Sequence, residues 1–313
     1  MIDRRHLLGG LAALVAVPAA SAPLTYTLVP QPVAGGIWLI RGADEDIRQS
    51  NGGAIANITV IATDAGAVLV DAGPSLRYGR QLAELAAKLV GKPVTRVYLT
   101  HLHPDHTFGD AAFDPAAIAA TPALIADLKA EGGGFSDGMY RLLGDWMRGT
   151  ELRLPGHVVA TPEETVGGRT FRMLPLAGHS AADLAMLDTR TGTLVAGDLV
   201  FHDRAPSTPH ADLPRWRTSL DTLKALDHAR VIPGHGPLDT TAVTAIDQTR
   251  DWLDWLEGAL RDAAGRGLDM VEAGAMPIPP RFAAVKAAGY ELQRSVAHLY
   301  PGFEARWARV DQR

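Results

Sequence analysis

The first half of the chain shows short apolar runs separated by glycine-rich turns, a pattern that predicts β-strands. Apolar residues at helical spacing predict helices over Leu76–Val90 and near Pro122–Ala130. Three successive glycines from Gly132 predict an irregular insertion over 132–155, with a short amphipathic helix at Met139–Arg148. The predicted strands are Tyr26–Val29, Ile37–Ile40, Ala54–Ile61, Ala67–Val70, Val94–Thr100 and Ile118–Ala120.

The second half repeats this order of strands and then helices. Strands are predicted at His157–Ala160, Thr170–Leu176, Ala185–Leu187, Leu194–Ala196 and Arg230–Ile232. Helices are predicted at Arg215–Leu226, at Ala242–Leu260 and from Arg281 to about Arg309, with Gly265–Pro280 as a linker to the last one. The repeated order predicts two similar halves with sheets packed inside and helices outside.

The N-terminus has the pattern of an export signal. Arg4 and Arg5 precede an apolar stretch from Leu7 to Val17, and Ala20–Ala22 has the small residues of a cleavage site. The stretch is too short for a permanent membrane anchor. We interpret residues 1–22 as a signal peptide of the twin-arginine type, with a general secretory signal as the alternative, and predict a periplasmic protein.

Composition excludes several classes of function. The formal net charge is −5 and no long run of Lys or Arg occurs, which argues against a nucleic-acid partner. There are no cysteines among the 313 residues, so disulfides, thiolate metal sites and a cysteine nucleophile are excluded.

Three histidines and an aspartate lie within six residues just after a predicted strand. His101 and His103 are two apart, so in an extended segment they point to the same side and can bind one metal ion. Asp105 and His106 follow a proline and can reach a second ion. The alternative is a surface loop that is merely rich in histidine.

Three more segments of the same chemistry follow apolar runs. His179, Asp198 and His235 each have a glycine beside them, which permits tight turns and close backbone approach. Since four such segments follow predicted strands, they predict one metal site at the rim of a sheet.

These segments, with the Val70–Gly73 segment, resemble the metallo-β-lactamase fold superfamily across about residues 50–240. The resemblance implies an α/β fold of the αββα four-layer sandwich type. We therefore expect one domain over 23–265, which includes the 132–155 insertion, and a helical extension over 266–313.

The resemblance also implies the role of each site residue. A first metal ion is held by His101, His103 and His179, and a second by Asp105, His106 and His235. Asp198 bridges the two ions, and Asp71 holds the site from outside the ligand set. Asp105 and Asp198 are the implied catalytic residues.

The bridging Asp198 is typical of glyoxalase II-like members rather than of those that cleave β-lactams. The segments Asn51–Ile58, Asp71–Ser75 and Tyr140–Gly144 resemble the exported quinoprotein relay system zinc metallohydrolases, which are associated with pyrroloquinoline quinone dehydrogenases. The implied function is a hydrolase with two zinc ions, or iron or manganese, in which a metal-bridging hydroxide cleaves an ester, thioester, lactone or similar bond of a small molecule.

Three alternatives stay open at this point: an iron-containing oxidoreductase, a non-catalytic metal or quinone relay protein, and, as a weaker one, a β-lactamase. The 132–155 insertion is either a lid over the site or a dimer contact or satellite core. His202 and His210 are assigned to surface loops, with a position that lines the pocket as the alternative. Asp110 is as well explained by a helix cap as by support of the metal site.

Overall fold

Two β-sheets form the centre of the protein. The structure, a computed structural model, describes residues 24–310. The first sheet has the order β1-β2-β3-β4-β5-β6-β7, antiparallel up to β4 and parallel from β4 onward. Its strands are β1 (Pro30–Ala34), β2 (Ile37–Ile40), β3 (Ile58–Ala62), β4 (Ala67–Val70), β5 (Val94–Tyr98), β6 (Ile118–Ala120) and β7 (His157–Val158).

The second sheet has the order β12-β11-β10-β9-β8, and only its β11–β12 pair is parallel. Its strands are β8 (Glu163–Val166), β9 (Arg169–Leu176), β10 (Asp183–Asp188), β11 (Thr193–Phe201) and β12 (Arg230–His235). The helices are α1 (Leu76–Val90), α2 (Pro104–Thr107), α3 (Pro122–Leu143), α4 (Leu213–Lys224), α5 (Thr244–Gly265), α6 (Met270–Gly274) and α7 (Ala288–Val310).

Three apolar clusters define the layers. Side chains from both sheets, such as Leu39 and Met186, meet in the cluster between the sheets. The outer face of the first sheet packs against α1 and α3, and the outer face of the second packs against α4 and α5. This arrangement is the predicted four-layer sandwich.

Several strand bounds differ from those predicted, and one strand was not predicted. Tyr26–Val29 is not a strand, because the first strand begins at Pro30, and β3 begins at Ile58 rather than at Ala54. Glu163–Val166 forms β8 although its mixed polarity gave no strand signal, because it lies at the edge of the second sheet and pairs only with β9.

The glycines at 132–134 do not interrupt the helix, so the predicted irregular start of the insertion is wrong. Helix α3 runs through them to Leu143, and its buried face includes Leu128 and Met139. Gly132 itself lies against Leu152, whose Cδ2 atom would be 2.6 Å from an added Cβ. Packing of one apolar face therefore outweighs the low helix propensity of glycine.

The C-terminal part packs closely on the rest of the protein. Leu292 and Tyr300 of α7 lie in one cluster with Leu256 and Leu260 of α5. Helix α6 lies within the predicted linker. The predicted signal peptide, residues 1–22, lies outside the described residues. Within residues 24–310, no helix has the length and apolar character needed to cross a membrane.

Candidate metal centre

The histidine cluster lies where β5 ends and α2 begins. His103 is the extended residue that precedes α2, and Pro104 occupies the first helical position, where its missing N–H costs nothing. The chain therefore turns between His103 and Asp105. This turn directs the two halves of the cluster to different neighbours.

Four side chains form a first group of converging ligand atoms: His101, His103, His179 and Asp198. Nδ1 of His103 lies 3.0 Å from Nε2 of His101 and 2.9 Å from Nε2 of His179. Oδ2 of Asp198 is 3.3 Å from Nε2 of His179 and 3.7 Å from Nε2 of His101.

A second group consists of Asp105, His106 and His235. Oδ2 of Asp105 lies 3.6 Å from Nε2 of His106 and 3.5 Å from Nε2 of His235, and the two imidazole nitrogens are 3.4 Å apart. Asp198 also contacts this group, since its Oδ1 atom is 3.1 Å from Nε2 of His106. The Asp198 carboxylate therefore lies between the two groups.

The spacing of these atoms suits a cation. Nitrogens bound to one tetrahedral zinc ion at ~2.0–2.1 Å stand ~3.3–3.4 Å apart, close to the distances within each group. The seven side chains are five imidazoles and two carboxylates, all ordinary ligands of zinc, iron and manganese.

Hydrogen bonds outside the groups fix the imidazole tautomers. Oδ2 of Asp71 lies 2.7 Å from Nδ1 of His106 and accepts a 2.8 Å hydrogen bond from the Thr100 hydroxyl. That hydroxyl oxygen is then free to accept from Nδ1 of His101, 2.9 Å away. In the neutral forms, Nε2 of both histidines carries a lone pair that faces the site.

His235 is oriented in the same way by a backbone group. Its Nδ1 lies 2.9 Å from the carbonyl oxygen of Ile55, which can only accept, so its Nε2 also presents a lone pair. Two neutral imidazoles, His106 and His235, would thus face each other with lone pairs at 3.4 Å, an arrangement that a cation stabilises. This observation shows that the donor set fits a divalent metal.

Two aspartates hold the ligand loops in place. Asp71 follows β4 with φ of 63°, a conformation that costs free energy for a residue other than glycine, and its N–H bonds to the carbonyl of Tyr98. Asp183 accepts hydrogen bonds from the N–H groups of His179 and Ser180. Burial raises the pKa of Asp183 to about 7 despite these bonds.

Burial keeps most of the first group neutral. It is the largest influence on His101, His103 and His179, and it lowers the pKa of each; the value for His103 is about 3. Such imidazoles need not lose a proton before they bind a metal ion.

The pKa of His106 is shifted in the opposite direction. Burial is the largest single influence and lowers its pKa, but the carboxylates of Asp198, Asp105 and Asp71 together outweigh burial and hold the pKa well above the ordinary value. For Asp198, burial raises the pKa, but the surrounding imidazoles outweigh this effect and hold it well below the ordinary range. In the absence of metal, a proton on His106 would supply part of the positive charge that a bound cation provides.

All the residues predicted for the metal site are brought together, but two of them lie within strands rather than after them: His235 is the last residue of β12, and Asp198 lies in β11. Strand β11 continues past Asp198 to Phe201. Asp110 is buried behind the histidine loop, and burial raises its pKa well above the ordinary value. It lies inside a short 3-10 helix rather than at a cap position.

His210 lies in an exposed turn, as predicted, but the preference for a position outside the pocket is wrong. Nδ1 of His210 lies 2.9 Å from Nε2 of His103, and the residue lines the cavity above the ligand groups. Phe135 of α3 lies edge-on to both rings. Nothing in the local sequence distinguishes His210 from His202, whose Nδ1 instead faces the carbonyl of Pro237.

The cavity has a volume of about 250 Å³. Ligand-group residues form its floor, and residues far apart in the sequence form its walls. The lining includes Asp46, Ile47, Ile55, His103, Pro104, Asp105, Phe135, Leu142, Asp198, Arg204, Ser207, His210, His235, Tyr290 and Arg294.

A family model described as "Metallo-beta-lactamase superfamily" matches residues 51–235, more than half of the chain and all of the candidate ligands. The chain belongs to this superfamily. Its members are mostly hydrolases and act on small-molecule substrates.

Curated relatives are distant. A "Beta-lactamase-like protein 2 homolog" from Caenorhabditis elegans is 27% identical over 195 residues, which are 61% of this chain and 59% of that protein. A "Probable metallo-hydrolase" from Streptococcus pyogenes is 26% identical over 208 residues, 59% of this chain and 80% of that protein. A "Metallo-beta-lactamase type 2" from Bacillus sp. (strain 170) is 30% identical over 193 residues, 59% of this chain and 69% of that protein.

Solved structures support the fold. A metallo-beta-lactamase from Pontibacter korlensis superposes with a TM-score of 0.59 at 19% identity, covering 73% of this chain and 99% of that one. The mono-zinc form of FIM-1 from Pseudomonas aeruginosa gives a TM-score of 0.58 at 17% identity, covering 74% of this chain and 97% of that one. Each of these matches leaves about a quarter of this chain uncovered.

Proposed function

We propose that the protein is a hydrolase that uses two divalent metal ions to cleave an ester, thioester, lactone or similar bond of a small molecule. The observation that carries this proposal is the position of Asp198, whose carboxylate oxygens lie 3.1–3.3 Å from imidazole nitrogens of both ligand groups. A carboxylate in this position suits two ions held side by side. The assignment to the metal-dependent hydrolases is supported by the superfamily and by the set of ligand side chains.

His101, His103, His179 and Asp198 would hold one ion, and Asp105, His106, His235 and Asp198 the other. Bound divalent ions supply Lewis acidity and lower the pKa of water toward ~7. The chain contributes orientation and charge. Asp71 fixes the tautomer of His106 directly and that of His101 through Thr100, and Asp105 and Asp198 would offset part of the metal charge. The buried setting strengthens each of these electrostatic interactions.

We further propose zinc as the native metal and the periplasm as the location. Zinc is favoured by the imidazole-rich set, although iron and manganese accept the same ligands. The periplasmic location rests on residues 1–22, and the association with a quinoprotein dehydrogenase rests on the sequence resemblance alone.

Elemental analysis of protein purified from its native host tests the metal, and we expect about two zinc ions per chain. The metal-replete protein is then assayed against esters, lactones, thioesters and phosphodiesters. We expect turnover with at least one ester-like class. An Asp198→Asn variant should lose more metal affinity or activity than the ~10–100-fold typical of residues that only support the ligands.

Asp221→Asn is the matched control, since Asp221 lies exposed on α4 and outside the site. A protein with two metal ions per chain that cleaves no member of the panel would contradict the proposed hydrolysis. Iron in place of zinc would favour the oxidoreductase alternative.

A further inference from the structure

One wall of the cavity is formed jointly by residues inside the family match and by a helix beyond it. Arg204 and Ser207 follow β11, while Tyr290 and Arg294 lie on α7. The guanidinium of Arg204 lies 5.8 Å from the ring centre of Phe201, and that ring stacks on His235 at 5.2 Å. The wall is therefore adjacent to the metal ligands.

Helix α7 is fixed in this position by buried contacts. Nη2 of Arg204 lies 3.0 Å from Oε1 of Glu291, and both side chains are almost completely buried. The backbone of Lys286 pairs with that of residues 203 and 205, and the Thr208 hydroxyl donates to the Ser295 hydroxyl. The wall is thus part of the folded body of the protein.

The charges of the wall do not cancel. Glu291 is shared by two guanidinium groups, at 3.0 Å from Arg204 and at 3.3–3.4 Å from Arg294. The other acidic residue of the wall, Asp46, is paired with Arg48 at 2.7 Å. One positive charge is left over, at the half-exposed Arg294.

Two donors of the wall lack an acceptor. Among the described residues, no hydrogen-bond partner is found for the buried Nε of Arg204. The Ser207 hydroxyl oxygen accepts a 3.0 Å hydrogen bond from Arg294, so its own hydrogen is free to be donated, and the residue is only 8% exposed.

We propose that Arg294, Ser207 and Arg204 bind a carboxylate group of the substrate, so that the enzyme acts on small acidic molecules. This inference rests on the proposed hydrolase function and names its substrate class. A guanidinium presents donors in a planar fork that matches a carboxylate. The cavity of about 250 Å³ is smaller than the ~300–1,000 Å³ typical of ligand pockets, which favours a small substrate.

Two thiols with the same carbon chain length test the proposal: 3-mercaptopropionate, which ends in a carboxylate, and 3-mercapto-1-propanol, which ends in a neutral hydroxyl group. Both carry a sulfur that binds zinc or iron, so the neutral thiol reports on the metal centre and the difference between the thiols reports on the wall. Binding to the metal-replete protein is measured by isothermal titration calorimetry.

We expect the acidic thiol to bind about tenfold more tightly, the low end for charge-assisted hydrogen bonds because Arg294 is half-exposed. Arg294→Gln should reduce this preference to less than about threefold, and Arg294→Lys should retain part of it. Arg266→Gln, an exposed arginine at the end of α5, should keep the full preference.

Equal affinity for the two thiols in the wild-type protein, or a preference that Arg294→Gln leaves unchanged, would overturn the carboxylate site. Failure of the acidic thiol to bind at all would overturn it as well. Neither result needs turnover, so the proposed hydrolysis is judged separately by the substrate panel.

Discussion

At the scale of single residues, Asp71 connects the two ligand groups. Its carboxylate accepts from the N–H and hydroxyl of Thr100 and faces His106, and Thr100 in turn faces His101. One side chain therefore sets the tautomer of a histidine in each group. Outer carboxylates of this kind raise the basicity of metal-binding imidazoles.

Asp71→Asn should lower the metal affinity by about 10–100-fold while the fold is kept. The amide preserves the shape, and asparagine tolerates the positive φ of 63° at this position, so backbone strain does not change. The amide lacks the negative charge. It also has only one acceptor oxygen, whereas Thr100 and His106 together use both oxygens of the carboxylate. Competition with a chelator of known affinity measures the effect.

Asp203→Asn is the control, because Asp203 also has a positive φ, of 53°, but lies outside the ligand groups. Its metal affinity should equal that of the wild-type protein. If Asp71→Asn bound metal as tightly as the wild-type protein, the tautomer argument would be wrong.

At the scale of elements, α1 packs directly against the segment that follows the histidine loop, where Gly79 meets Gly109. A Cβ added to Gly79 of α1 would lie 2.0 Å from the carbonyl oxygen of Gly109, in the 3-10 helix directly after α2. Gly109 also donates its N–H to the carbonyl of Gly73. The backbone of the ligand loop is thus held directly against α1 and the turn after β4.

Gly79→Ala should therefore destabilise the protein by about 1–3 kcal/mol, because the helix must move away from a backbone atom. Gly133→Ala in α3 is the matched variant. It places the same methyl group in open space on an exposed turn, and should stabilise the protein by about 0.5–1 kcal/mol. Urea unfolding measures both, and the same sign for the two variants would contradict this close packing.

The sequence predicted the parts of the site that have a local signature. His101, His103, Asp105 and His106 are marked by their spacing, and His179, Asp198 and His235 by a neighbouring glycine and a preceding apolar run. The two-sheet sandwich followed from the order of elements and the resemblance. These features depend on neighbours along the chain, which a pattern can show.

The walls of the cavity depend on contacts across the sequence, which no local pattern shows. His210 meets His103 across more than a hundred residues, and Arg294 meets Ser207 across more than eighty. The continuation of α3 through Gly132 was missed for the same reason. The contact with Leu152 on a separate segment favours the small residue there.

At the scale of the whole molecule, the ligands come from both sheets. The histidine loop extends from β5 of the first sheet, while Asp198 and His235 lie on β11 and β12 of the second. Bound metal would therefore connect the two halves of the sandwich. Because the metal would bind the folded chain and not the unfolded one, it would raise the free energy of unfolding by about 2.7 kcal/mol at a free metal concentration of 100 Kd.

Removal of the metal with a chelator should lower the unfolding temperature by roughly 4 °C for each bound ion in a protein of this size. The difference in unfolding temperature between the metal-loaded and the metal-free protein should widen as the pH rises. In the metal-free protein, the pKa of His106 is raised in the folded state, so the stability due to its proton is present at low pH and is lost as the pH rises through that pKa. Metal must displace the same proton, so loading improves as the pH rises.

Thermal unfolding across acidic to mildly alkaline buffers, with and without chelator, measures this difference. His106→Gln removes both a ligand and the titrating group, so the difference between loaded and stripped protein should shrink and lose most of its pH dependence. His157→Gln should behave as the wild-type protein, because His157 faces Glu164 at the far edge of the first sheet. A difference that narrows with rising pH in the wild-type protein would show that His106 does not hold the proton that metal replaces.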